Sequence, residues 1–130
     1  TFAECARILR SGGRLFVAMN HPAFRVPRRS EWGWDAGANV QFRRVDGYLT
    51  EAKVKIDMHP GTDPTAFTWS FHRSLQFYVK ALARAGFAIV NLEEWTSHKK
   101  SDSGPRAEAE NIARREIPLF LCLEAVKVEI

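Results

Sequence analysis

Within its first nineteen residues the chain sets down a helical stripe, a glycine stop and a continuous apolar run. Phe2, Cys5, Ala6 and Leu9 recur at helical spacing, and Ile8 widens the stripe. Ser11-Gly12-Gly13 then ends the helix, with a glycine free to take the left-handed cap conformation. Leu15-Phe16-Val17-Ala18-Met19 follows at once. Continuous rather than alternating hydrophobicity predicts a strand covered on both faces, as in a parallel sheet flanked by helices. The stripe is already under way at Thr1, which is not Met, so the chain reads as part of a longer protein.

From His21 to Arg73 the pattern changes. Connections from strand to helix in α/β folds run ~2–6 residues, so a segment this long is an insertion with a functional reason. Its first part, through Trp32 and Trp34, reads as irregular and rich in Pro, Arg and Trp. Ala52, Val54, Ile56 and Met58 then alternate with polar residues, as do Phe67, Trp69 and Phe71. The stretch 59–64 between them is turn chemistry. An antiparallel pair is expected, joined by a strand within 40–48.

Leu75, Tyr78, Val79 and Leu82 give the next helical stripe, which Gly86 ends, and 87–95 reads as a strand. A polar loop covers 96–105 and a short helix 107–115. The last strand is expected over 117–128, with Leu119-Phe120-Leu121-Cys122-Leu123 at its centre and Pro118 near its start. So apolar a run places the final strand in the middle of its sheet.

Two phrases carry a family resemblance: residues 4–15, Glu4-Cys5-Ala6-Arg7-Ile8-Leu9-Arg10-Ser11-Gly12-Gly13-Arg14-Leu15, and Leu82-Ala83-Arg84-Ala85-Gly86-Phe87. With the order of elements around them, the chain resembles the carboxyl-terminal half of class I S-adenosylmethionine-dependent methyltransferases. The resemblance implies an α/β fold, half of a Rossmann-like doubly wound sheet, with residues 21–73 inserted as a β-rich substrate lid. It also implies that the last strand lies antiparallel between two earlier ones. S-adenosylmethionine is the implied cofactor. The family's glycine-rich loop after its first strand, and the acidic residue after its second, are absent from this sequence, so the cofactor-binding residues are expected upstream.

Composition narrows the remaining classes. At 45% hydrophobic and 26% charged the chain is ordinary for a globular domain, and one domain is what 130 residues support. No apolar run approaches the ~20 residues of a membrane helix, so no membrane partner is expected and a cytoplasmic location is. Cys5 and Cys122 show no metal spacing and read as buried free thiols in a reducing compartment. His21, His59, His72 and His98 are too dispersed for a metal site. The net charge of +4 permits a nucleic-acid partner, but the cations are scattered, as on a solvated surface.

In open α/β sheets ligands bind outside the carboxyl ends of the parallel strands, which is where Asn20 and His21 are expected. Imidazole titrates near neutral pH, so His21 is a candidate base, or else it merely caps the strand before Pro22. His72 is the second candidate base, with Arg73 to neutralise an anionic group and Tyr78 on the following helix; the alternative is a solvated polar face. Arg25, Arg28 and Arg29 with Trp32 and Trp34 could stack a planar ring, as Arg43, Arg44 and Tyr48 could more weakly. They could equally form a lid with its tryptophans inward and arginines in water. Glu93 and Glu94, adjacent in a strand, should face opposite ways and receive no role.

The function expected is methyl transfer from S-adenosylmethionine to a small-molecule acceptor, this chain supplying the acceptor side. A nucleic-acid (RNA) methyltransferase and a non-catalytic α/β interaction module are the alternatives. The isolated chain is expected to bind no cofactor and to be inactive by itself, and, with a sheet edge and helix faces uncovered, to be unstable or to self-associate unless the other half of the sheet is present.

Overall fold

The computed structural model describes residues 1–129. It opens with α1 (Phe2–Ile8), and the turn after it carries Gly12 at φ +78°, a left-handed conformation open to glycine without strain. The turn is tied down where the Gly12 N–H donates to the Lys127 carbonyl. β1 (Arg14–Asn20) follows, and later come β6 (Phe87–Trp95) and β7 (Phe120–Lys127). These three strands form one sheet in the order β1-β7-β6, with β7 antiparallel to both neighbours. The last strand is therefore the central one, as expected, and its placement is the one the methyltransferase resemblance implied.

One face of this sheet holds the core. Leu82, Phe87, Leu121, Leu123 and Ala125 are its buried centre, with α1 and α2 (Leu75–Arg84) packed over it. Leu82, Leu121 and Leu123 are wholly buried, and each contributes about 1.5–3 kcal/mol by leaving water. Ser74 caps α2 by accepting the Phe77 N–H at 3.4 Å, and Arg84 places positive charge in its last turn.

The expectation of a strand covered on both faces fails at β1. Leu15, Val17 and Met19 pack on the core, but Phe16 between them is 63% exposed. Neighbouring strands are all antiparallel, and β1 and β6 are parallel only across the intervening β7. These three strands, with β7 antiparallel between β1 and β6, do not by themselves make a doubly wound parallel sheet. Pro118 also lies before β7 rather than inside it.

Residues 21–73 contain two separate hairpins. β2 (Ser30–Asp35) pairs with β3 (Val40–Val45), and β4 (Ala52–His59) pairs with β5 (Asp63–His72), all antiparallel. The region of Trp32 and Trp34 is therefore a strand, not irregular chain. Its partner is the strand expected within 40–48, which joins β2 and not the β4–β5 pair. Gly33 explains part of the difference. A Cβ there would stand 2.4 Å from the Phe42 ring, so the glycine lets that ring lie against the β2 backbone. The remaining helix, α3 (Ala107–Glu116), packs on β3. Among the described residues no helix is long and apolar enough to cross a membrane, and no group of side chains is arranged to hold a metal ion.

Candidate functional site

Asn20, Phe120 and Trp95 stand in register across the sheet, so β1 and β6 finish at the same edge. Beyond β1 the His21 N–H donates to the Leu119 carbonyl at 2.8 Å, which extends the strand's direction by one residue. By alternation His21 falls on the same face as Met19, the core face.

β6 reaches that face by a register shift. Phe87 and Ile89 point to the core, and simple alternation would bring Asn91 and Glu93 after them. A bulge between Ile89 and Asn91 inserts Val90 and inverts the parity, so Leu92 pairs with Leu123 and Glu94 with Leu121. Glu94 thereby joins the face that carries His21. Its Oε2 stands 2.6 Å from His21 Nε2. Alternation alone gave Glu94 no role, because a one-residue bulge leaves no mark in the apolar pattern.

His21 is 4% exposed, and both ring nitrogens are engaged. Nδ1 lies 3.1 Å from the Ala23 N–H and accepts it, which leaves Nε2 to carry the proton that Glu94 receives. The imidazole is further held by the Phe24 ring, 4.7 Å away between centroids. Glu94 keeps nearly half of its side chain in solvent. The pair is thus a buried imidazole steadying a carboxylate that reaches the surface.

A small cavity beside Pro22 brings together Asn20, Arg25, His72, Arg73 and Tyr78, five of the candidate residues drawn from four stretches of chain. His72 is 3% exposed, and its Nε2–H donates to the Tyr48 carbonyl at 2.6 Å, so the neutral ring keeps its lone pair on Nδ1. Tyr48 stands behind it as a fastener. Its hydroxyl accepts the Leu75 N–H at 2.9 Å, satisfying one of the free donors at the start of α2. Arg73 spans the His72 carbonyl and Glu51, with its guanidinium over the Phe77 ring. Burial pushes the Tyr78 phenol above its ordinary value, against the opposing pull of Arg73.

Phe71, Arg73 and Tyr78 also wall a wider, mostly apolar cleft of about 640 Å³ that runs along α2 to Phe2, within the usual size range of ligand pockets. Trp32 lies elsewhere, in a cavity that shares Arg25 with the small one. Trp34 lies apart from both, with Arg106 over its ring. The basic cluster divides likewise. Arg28 and Arg29 bind the Lys55 and Thr50 carbonyls, and Arg44 pairs with Asp46 and Glu31.

Solved structures match this arrangement over nearly its whole length. A protein of Listeria monocytogenes, whose assignment as an S-adenosylmethionine-dependent methyltransferase is itself provisional, superposes with a TM-score of 0.70 at 23% identity. The match covers 98% of this chain and 53% of that one. An S-adenosylmethionine-dependent methyltransferase of Mesorhizobium loti gives 0.67 at 27% identity, over 96% and 53%. The fold is a methyltransferase fold. The chain spans about half the length of the methyltransferases it matches. No family model matches the sequence, and no curated protein does.

The glycine-rich loop that the family resemblance leads one to look for has no counterpart among the described residues. The glycine pair of the chain, Gly12-Gly13, sits before β1, at the sheet edge opposite His21 and Glu94. A phosphate- or cofactor-cradling loop belongs at the carboxyl end of a strand and opens a helix. Among the described residues no glycine loop stands in that position.

Proposed function

We propose that this chain supplies the acceptor side of methyl transfer from S-adenosylmethionine to a small molecule, with residues 21–73 as the lid. The observation that carries the proposal is the His21–Glu94 pair, set by a bulge at the carboxyl edge of a methyltransferase-type sheet. The neighbouring cavity of Asn20, Arg25, His72, Arg73 and Tyr78 supports it. The cofactor supplies the electrophilic methyl group and is held outside the residues described.

Within this chain the base is the pair, not the imidazole alone. Glu94 takes the acceptor's proton through its exposed carboxylate, and His21, with its Nε2–H on that carboxylate, fixes its position and shares its charge. Nδ1 of His72 is a second basic nitrogen beside Arg73, whose charge orients an acceptor. Both hairpins come from one insertion; Arg43 of β3 is fastened to the Phe24 carbonyl within it, and the Tyr48 hydroxyl ties it to the start of α2.

The test is transfer of tritium from methyl-labelled S-adenosylmethionine by the longest natural polypeptide that carries this sequence. Label entering the small-molecule fraction of a cell extract supports the proposal. An RNA methyltransferase is the second reading, favoured by the +4 charge and by the cations around Trp32. Label in RNA would select it, and label in neither fraction would leave both without support.

A further inference from the structure

Arg25, Arg43, Lys99 and Arg114 converge on one cavity of about 390 Å³, walled also by Trp32 and Phe120. They come from four separate segments: the loop after β1, β3, the loop after β6, and α3. None of the four forms an ion pair among the described residues, although Arg7, Arg14, Arg44 and Arg73 all do. Arg43 and Arg114 are half-buried and held by neutral groups. Arg43 donates to the Phe24 carbonyl at 2.8 Å and the Ser30 hydroxyl at 3.1 Å, and Arg114 to the Ser101 hydroxyl at 2.6 Å. Burial and, after it, the charge of Arg25 both disfavour the Arg43 guanidinium, and only Glu31 opposes them.

Like charges gathered in a concave, partly dry place repel one another unless something neutralises them. Here the protein supplies no carboxylate in contact, while it fixes two of the guanidinium groups with neutral acceptors. Each aromatic wall is already faced by a cation, Arg43 at 5.0 Å from the Trp32 ring and Arg25 at 5.4 Å from that of Phe120. The cavity is therefore lined by cations both at its exposed side, Arg25 and Lys99, and deeper in, Arg43 and Arg114, with aromatic and apolar side chains between them.

We infer that this cavity binds an anionic small molecule, one with a carboxylate or phosphate group on an aromatic or apolar body. Arg25 and Lys99 reach the anion from the solvent side, and Arg43 and Arg114 hold it from below. The cavity lies at the carboxyl edge of the sheet, between Ser97 and Leu119-Phe120. If the ligand is the methyl acceptor, that identity rests on the function proposed above; the anion site itself does not. A concave cluster of this size suits a small molecule better than a nucleic-acid backbone, which calls for cations along a stripe.

The experiment titrates the protein with benzoate, phenyl phosphate and benzyl alcohol, following the indole N–H signals by NMR. Saturable shifts of the Trp32 signal are expected with at least one of the two anions and not with the alcohol. Arg25→Gln and Lys99→Gln each should weaken that binding about tenfold, the value of one charge-assisted hydrogen bond. Neither side chain makes a hydrogen bond to the protein among the described residues, so folding is not at stake, and Lys80→Gln on α2 serves as the charge control. Binding of benzyl alcohol as tightly as the anions, equal anion affinity in both variants, or no shift with either anion would overturn the inference. Tighter binding of polyuridine, lost in Arg25→Gln and steeply salt-dependent, would overturn it in favour of nucleic acid. Methyl transfer is not read in any arm, so failure here leaves the functional proposal to its own test.

Discussion

His21 Nε2 and Glu94 Oε2, 2.6 Å apart, fasten the residue after β1 to the penultimate residue of β6 across the intervening β7. Glu94→Ala leaves a buried N–H without its acceptor, at a cost of about 1–3 kcal/mol, whereas Glu94→Gln retains an oxygen to receive it and costs less. Urea denaturation of the two variants measures the difference. Equal stability for Glu94→Ala and the parent would show that the pair holds nothing together.

Gly33 and Phe42 form a second coupled pair. A methyl at 33 must push aside a ring whose Cζ would lie 2.4 Å away, and because Phe42 is 44% exposed and can swing outward, Gly33→Ala should destabilise the protein by no more than about 1 kcal/mol. Phe42→Ala removes the obstacle, so the double variant should cost less than the sum of the single ones. A thermodynamic cycle checks this, and strict additivity would count against the contact.

Tyr48 uses two different groups: its carbonyl holds His72 within the insertion, and its hydroxyl ties the insertion to the start of α2. Tyr48→Phe keeps the carbonyl that His72 uses but removes the hydroxyl that receives the Leu75 N–H. A loss of about 1 kcal/mol is expected, with faster amide exchange confined to the first turn of α2. Uniform exchange across the whole helix would contradict a local role.

Tyr78 should titrate late. Its folded phenol is raised above the unfolded value of about 10, so the unfolded chain releases that proton first as pH rises. The folded protein then binds more protons than the unfolded one, and stability falls with increasing pH from about 10 upward. The side-chain ¹³C signal of Tyr78 should hold its neutral shift past the pH at which free tyrosine ionises. A signal that moves with free tyrosine would contradict burial of the phenol.

The central place of the last strand was legible from the family resemblance together with the unbroken apolar run Leu119 to Leu123; the run alone would not have decided it, since the equally apolar β1 lies at the edge of the same sheet among the described residues. Asn20, His72 and Arg73 beside the small cavity were legible because each stands at the end of a strand or just before a helix, while Arg25 stands in a loop. Two things were hidden. The strand at Trp32 contains a glycine, and its Pro- and Arg-rich approach masks the alternation, so only its pairing with β3 reveals it. Glu94 was hidden by parity, because the bulge at Val90 is a hydrogen-bonding event between strands and not a pattern within one. The uncovered Phe16 shows the reverse error: a continuous apolar run was taken to mean two covered faces, and one of them is open among the described residues.

The most direct test compares tritiated methyl transfer by the longest natural polypeptide carrying this sequence with transfer by its Glu94→Gln form, at matched folding judged by circular dichroism. General-base catalysis is worth roughly 10²–10⁴-fold, so a loss of that order in turnover is expected, with S-adenosylmethionine affinity unchanged. Undiminished turnover in Glu94→Gln, or failure of the parent to bind S-adenosylmethionine at all, would contradict the account.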